Sequence, residues 1–154
     1  MKAFFLDTSA FFKFYVPEQG SQVVQRIFQN GGLRLITSLT ITEMMSNIRR
    51  LVEVDRLIDE KGYRAIKADI MAKIADGVLD VVEITLRDIL DSIGLIEKRY
   101  MSPIDAIQLA SALRVADRTD NLVFVCADTK LARLASDEGL EVLNPLQAAP
   151  QVGG

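Results

Sequence analysis

The chain has 154 residues, a formal net charge of -3, one cysteine and no histidine. Without histidine, a Ser-His-Asp or Cys-His nucleophile, an imidazole acid-base pair and the usual histidine-cysteine zinc site are excluded, so hydrolytic chemistry must use carboxylates, Lys, Tyr or a hard metal ion. The acidic balance also excludes a broad basic field that would grip nucleic acid over the whole surface, leaving room only for a local basic patch.

The length fits one domain that buries roughly two-thirds of the surface its unfolded chain would expose. Cys126 has no second cysteine to pair with. With no signal peptide and no long uncharged apolar run, the expected setting is a reducing cytoplasm, with no membrane involved. An apolar fraction of 49% is high for a monomer of this size and points to a buried interface.

Lys2 to Leu6 predicts the first strand. Its four residues Ala3 to Leu6 do not alternate with polar ones, so both faces should be covered, as in the centre of a parallel sheet flanked by helices. Ligands bind at the carboxyl ends of such strands, and Asp7 sits where this one stops. Ala10 to Tyr15 reads as a short helix stopped by Val16-Pro17, and Ser21 to Gln29 as an amphipathic helix ended by Asn30-Gly31-Gly32. Phe11, Phe12, Phe14 and Tyr15 crowd the first of these. A helix turns about 100° per residue, so they cannot all face one core. Part of that surface is expected to meet another chain; burial on every side between the sheet and a helical hairpin is the alternative.

Leu33 to Ile36 predicts the second strand, and Thr37-Ser38 leads into a helix from Leu39 to Val54 with Ile41, Met44, Met45, Ile48, Leu51 and Val52 at spacings of three and four. The helix from Lys61 to Ala75 should pair with it as a hairpin. Val78 to Ile84 predicts a third strand, Leu86 to Tyr100 a helix, and Ser102-Pro103 opens another that reaches Ala116. Leu122 to Ala127 predicts a fourth strand, which delivers Asp128 into a helix from Thr129 to Ser136. Gly139 stops that helix, and Glu141 to Leu143 makes a short edge strand. This alternation, with no repeat and no linker rich in Pro and Gly, predicts one α/β domain.

Four acids stand out: Asp7, Glu43, Asp105 and Asp128. Each alone has a structural reading. Asp7 and Asp128 suit helix N-caps, Asp105 lies three residues past Ser102 in what is nearly a capping box, and Glu43 suits an exposed helix position. In a parallel sheet, however, Asp7 and Asp128 open onto the same edge, and the helices carrying Glu43 and Asp105 begin or pass there.

The stretches Phe5-Leu6-Asp7-Thr8-Ser9-Ala10, Thr42-Glu43, Ser102-Pro103-Ile104-Asp105-Ala106-Ile107-Gln108-Leu109-Ala110-Ser111-Ala112 and Ala127-Asp128-Thr129-Lys130-Leu131 together resemble a PIN domain of the VapC toxin type. The order and spacing match over nearly the whole chain, down to Gly139-Leu140-Glu141-Val142-Leu143-Asn144-Pro145. The resemblance implies an α/β three-layer sandwich: a parallel sheet of about five strands with helices on both faces and a helical hairpin. It implies a nuclease domain over residues 1–147, followed by a flexible tail over 148–154. It further implies a metal-dependent endoribonuclease, the toxin of a type II toxin-antitoxin pair, with RNA as substrate and a second copy or an antitoxin as protein partners. Its acidic residues fall on Asp7, Glu43, Asp105 and Asp128, with Ser9 in support. Cys126 departs from the pattern, since many relatives carry Thr or Ser two residues before the last Asp.

The physical logic runs alongside. Carboxylates a few ångströms apart cannot all ionise cheaply unless a cation neutralises them, and oxygen-only donors select Mg²⁺ or Mn²⁺. Asp7, Asp105 and Asp128 are the expected metal contacts, with Glu43 coordinating or orienting a water. Lys13, Arg49 and Arg50 are candidates for holding phosphates. A receiver-type phosphoacceptor would need an acidic pair near the first strand, where this chain has Asp7 followed by Thr8. A catalytically silent interaction module of the same fold, or another metal-dependent nuclease, is the alternative reading.

Overall fold

The computed structural model describes residues 1–147; the tail expected at 148–154 lies outside the described residues. The chain runs β1 (Ala3–Leu6), α1 (Thr8–Tyr15), α2 (Ser21–Gln29), β2 (Leu33–Thr37), α3 (Ser38–Glu53), α4 (Glu60–Ala75), β3 (Asp80–Val82), α5 (Leu86–Lys98), α6 (Pro103–Ala116), β4 (Leu122–Val125), α7 (Thr129–Asp137), β5 (Glu141–Leu143). The strands form one sheet in the order β3-β2-β1-β4-β5, with every neighbouring pair parallel. The expected five-stranded parallel sheet is present.

β1 is central because its side chains can be buried on both sides. Ala3 and Phe5 join Leu35, Leu122 and Phe124 in a core completed by Leu95, Leu109, Leu131 and Ala135 from α5, α6 and α7. Leu6 joins Ile36, Val123 and Val125 in a second core under Ala10, Phe11, Ile27, Met44 and Ile70 from α1 to α4. The period of two along each strand thus divides apolar side chains between two helical layers, giving the three-layer sandwich. The order of strands reverses at β1, so the crevice between the carboxyl ends of β1 and β4 is the topological switch point where ligands of such sheets bind.

Several boundaries differ from the sequence reading. α1 begins at Thr8, two residues before the expected Ala10, because Asp7 caps it through the Ser9 N–H. β3 spans three residues instead of Val78 to Ile84. Val78 and Leu79 donate to Lys73 O at 2.9 and 3.0 Å across a left-handed Gly77 (φ 73°), closing α4, and Ile84 N bonds to Ser38 Oγ. The apolar run therefore serves a helix cap at one end and a loop at the other. Among the described residues no helix is long and apolar enough to cross a membrane.

The aromatic residues of α1 are covered in part within the chain. Phe11 is fully buried, Phe14 lies 4.5 Å from the Phe28 ring of α2, and Lys73 of α4 sits over the Phe14 and Tyr15 rings. The Tyr15 hydroxyl donates to Asp69 at 2.7 Å. Phe12, Phe14 and Tyr15 remain half-buried, so α2 and α4 cover part of the aromatic surface of this helix and burial on every side does not describe it.

The helices behind the switch point are tied by one ion pair. Asp88, fully buried, caps α5 in a capping box with Thr85 and accepts from Arg114 Nε of α6 at 2.7 Å. Burial alone would raise the Asp88 pKa, but the guanidinium outweighs it and holds the carboxyl below its ordinary value. Removing one partner strands a buried charge, so Arg114→Ala should destabilise the protein by about 3 kcal/mol. Urea unfolding checks this, and the Asp88→Asn, Arg114→Met double variant should recover much of the loss.

Candidate active site

Each acid owes its position to a local backbone event. Asp7 is the first residue past β1, and its N–H reaches across to Val125 O at 2.9 Å, fixing it between β1 and β4. It is 6% exposed and caps α1. Ser9 Oγ donates to Asp7 Oδ2 at 2.6 Å and accepts from the Ala127 N–H at 3.1 Å, so one hydroxyl pins Asp7 to the end of β4. Asp128, exposed, caps α7 by accepting from the Leu131 N–H at 3.1 Å. Asp105, half-buried, stands in the first turn of α6, where its own N–H is capped by Ser102 Oγ at 3.2 Å. Glu43, also half-buried, comes from α3 and accepts from Thr8 Oγ1 at 2.9 Å and Gln108 Nε2 at 3.4 Å, both on Oε1. The cap readings of Asp7 and Asp128 therefore hold together with their convergence on one edge.

The charges of the four acids act on one another. The Asp7 carboxyl is pushed above its ordinary value of 3.8, chiefly by burial; the Ser9 hydroxyl and N–H oppose this and the Asp105 charge adds to it. Glu43 is raised by burial first, against the Thr8 hydrogen bond, and then by the charges of Asp7 and Asp105. Asp105 is raised by burial, against Ser102, and by Asp128. The cluster is open: among the described residues no three acidic or thiol side chains close around a common point. Its chemistry nonetheless fits a hard divalent cation, because the donors are carboxylate oxygens whose shared negative charge is offset only in part, by Lys130 acting on Asp105.

Cys126 lies under this cluster, fully buried, with Sγ 3.7 Å from Asp7 Oδ2. Burial and then the Asp7 charge push the thiol pKa up, so it stays a neutral, weak donor. A neutral, buried thiol is a poor metal ligand, so the candidate donors remain the carboxylate oxygens.

The basic residues singled out for phosphates are committed elsewhere. Lys13 is buried against Glu18 at 2.8 Å, Arg49 grips Glu60 at 2.7 and 2.9 Å and Glu53 at 3.0 Å, and Arg50 stands 3.8 Å from Asp55. Lys130 is instead the cation whose charge reaches Asp105, and sequence reasoning passed over it. A signal was available, since Lys130 stands in the first turn of α7, where the helix dipole disfavours a positive charge. Thr8 and Gln108 were also missed as partners of Glu43, because nothing along the sequence shows that α1 and α6 flank α3.

The sequence profile described as the PIN domain matches residues 4–137. No curated protein matches the chain. Among solved structures, FitAcB from Neisseria gonorrhoeae superposes with a TM-score of 0.67 at 12% identity, covering 94% of this chain and 99% of that one. A toxin-antitoxin complex from Klebsiella pneumoniae gives 0.62 at 16% identity, with 94% and 98% covered. VapBC2 from Rickettsia felis, bound to a DNA fragment from its promoter, gives 0.61 at 15% identity, with 92% and 98% covered. The fold, the acidic edge at its switch point and the profile agree, and the chain belongs to the PIN domain family.

Proposed function

We propose that residues 1–147 act as a cytoplasmic, metal-dependent endoribonuclease, the toxin of a toxin-antitoxin pair. The observation that carries this reading is the convergence of Asp7, Glu43, Asp105 and Asp128 from four separate elements on one sheet edge, in a chain without histidine. Membership of the PIN family and the toxin-antitoxin complexes among similar structures support a nuclease toxin, and RNA as the substrate follows from the resemblance to VapC-type toxins.

Asp7, Asp105 and Asp128 would hold Mg²⁺ or Mn²⁺. When bound, such an ion lowers the pKa of a water and offsets charge on phosphodiester oxygens. Glu43 orients the attacking water and takes its proton at Oε2, the oxygen that Thr8 and Gln108 leave free. Ser9 keeps Asp7 turned toward the cluster, and Lys130 draws the substrate phosphate to the exposed side near Asp128. RNA cleavage that requires Mn²⁺ and stops with a chelator is the expected result. Calorimetry that finds no Mn²⁺ binding would instead favour a silent interaction module, and preferential cutting of DNA another nuclease.

Asp7→Asn, Asp105→Asn and Asp128→Asn should each lower cleavage by about a hundredfold or more. The metal-free Asp7→Asn protein should melt above wild type at neutral pH. The sign follows from linkage: the folded Asp7 pKa lies above its unfolded value, so the charged form costs stability above the folded pKa, and that cost disappears as pH falls through it toward 3.8. The melting difference between wild type and variant should shrink over that window, as thermal scans across pH would show.

The homodimer finds support on α5 rather than α1. Leu86, Ile89, Leu90, Ile93 and Ile96 recur at helical spacing and are all exposed, Leu86 by 73%, with Tyr100 just beyond. An exposed apolar stripe of this kind suits an isologous contact. Light scattering should give a dimer mass for wild type and a monomer mass for Ile93→Asp.

A further inference from the structure

Glu43 is supported from beneath by buried side chains whose hydrogen-bond polarity follows from counting protons. Thr37, Thr40 and Gln108 are completely buried and Thr8 nearly so. Thr8 Oγ1 lies 2.9 Å from Glu43 Oε1 and 3.0 Å from Thr40 Oγ1. Thr40 Oγ1 in turn lies 2.7 Å from Gln108 Nε2 and 3.4 Å from Thr37 Oγ1. A hydroxyl donates one proton and accepts twice, whereas an ionised carboxylate only accepts. Thr8 therefore gives its proton to Glu43 and must accept from Thr40. Having spent its proton on Thr8, Thr40 must accept from both Thr37 and the Gln108 amide. The Gln108 amide cannot be turned over, because its oxygen would demand a proton that Thr40 no longer has. That requirement explains why Gln108 Oε1 is left buried without a partner. The polarity runs one way, from Gln108 through Thr40 and Thr8 to Glu43, and it links α6, α3 and α1.

We propose that Thr40 is a positioning residue for Glu43, acting through Thr8 without touching the carboxylate, substrate or metal itself. The proposal rests on the reading of Glu43 as the group that orients the attacking water. Held on Oε1 by the Thr8 hydroxyl and, at longer range, by the Gln108 amide, the Glu43 carboxylate presents Oε2 to the cluster in one orientation. Without the Thr40 hydroxyl, Thr8 loses the hydrogen bond that holds its own side chain in place beside Glu43, and Gln108 Nε2 keeps only its longer 3.4 Å contact with Glu43 Oε1.

The test compares Thr40→Val, which keeps the shape and removes the hydroxyl, with Thr40→Ser, which keeps the hydroxyl. In Mn²⁺-dependent RNA cleavage, Thr40→Val should lower kcat by about tenfold or more, with KM and calorimetric Mn²⁺ affinity unchanged, and Thr40→Ser should stay within about threefold of wild type. Crystal structures of the metal-free variants should show Glu43 turned in Thr40→Val and unmoved in Thr40→Ser. Wild-type kcat in Thr40→Val, equal losses in both variants, or an unmoved Glu43 in the valine variant would each overturn the proposal. If the valine variant does not fold, Thr40→Ala removes the same hydroxyl without adding bulk and is judged by the same readouts. A wild-type protein that cleaves no RNA refutes the ribonuclease reading instead, and the crystallographic comparison still decides the positioning role.

Discussion

Mutual repulsion among four carboxylates at the carboxyl edge of a parallel sheet is the constraint around which this molecule is arranged. Three of them stand at helix N-termini: Asp7 and Asp128 as caps of α1 and α7, and Asp105 in the first turn of α6. There the unpaired N–H groups and the helix dipole offset part of the cost of negative charge. Glu43 has no such help, being further along α3, and it is the acid supplied with donors from two other helices, Thr8 and Gln108. The fold thus lowers the cost of each acid locally while leaving a collective excess of negative charge.

That excess can persist because the scaffold under it is over-determined. β1 is paired on both sides and covered on both faces, so Asp7 cannot retreat from the edge without disturbing the centre of the sheet. At the mouth of β2, Gly32 (φ 133°) brings the chain so close to β1 that an added Cβ would lie 2.7 Å from Lys2 O. Asp88 and Arg114 couple α5 to α6, the helix that presents Asp105. Packing stability here is what keeps a cluster of like charges in place at the candidate site.

Much of this was legible in the sequence because it is local. The unbroken apolar run before Asp7, the Ser102-Pro103 helix start and the Asp128-Thr129 junction each state their own structure through capping and burial pattern. The four acids could be grouped from the expectation that strand ends share an edge. What was not legible depends on which helices are neighbours. The apolar residues of β3 were shared with the close of α4, the aromatic residues of α1 found contacts on α2 and α4, and the Thr40 network spans three helices. Arg49 and Lys13 were candidates for phosphates, yet Arg49 pairs with Glu60 across the α3-α4 hairpin and Lys13 with Glu18 beyond the end of its helix, which sequence distance alone does not single out. The exposed stripe on α5 was not legible either, because periodicity does not say which apolar face is left uncovered.

The single cysteine has a use for the experimenter. Cys126 is wholly enclosed between the ends of β1 and β4, directly beneath Asp7, and its thiol is held neutral. A disulfide-exchange reagent can attack it only when the segment joining β4 to α7 lifts and lets the thiol ionise. Its labelling rate is therefore an intrinsic clock for breathing at the floor of the acidic edge, available in the unmodified protein and free of interference from any second thiol.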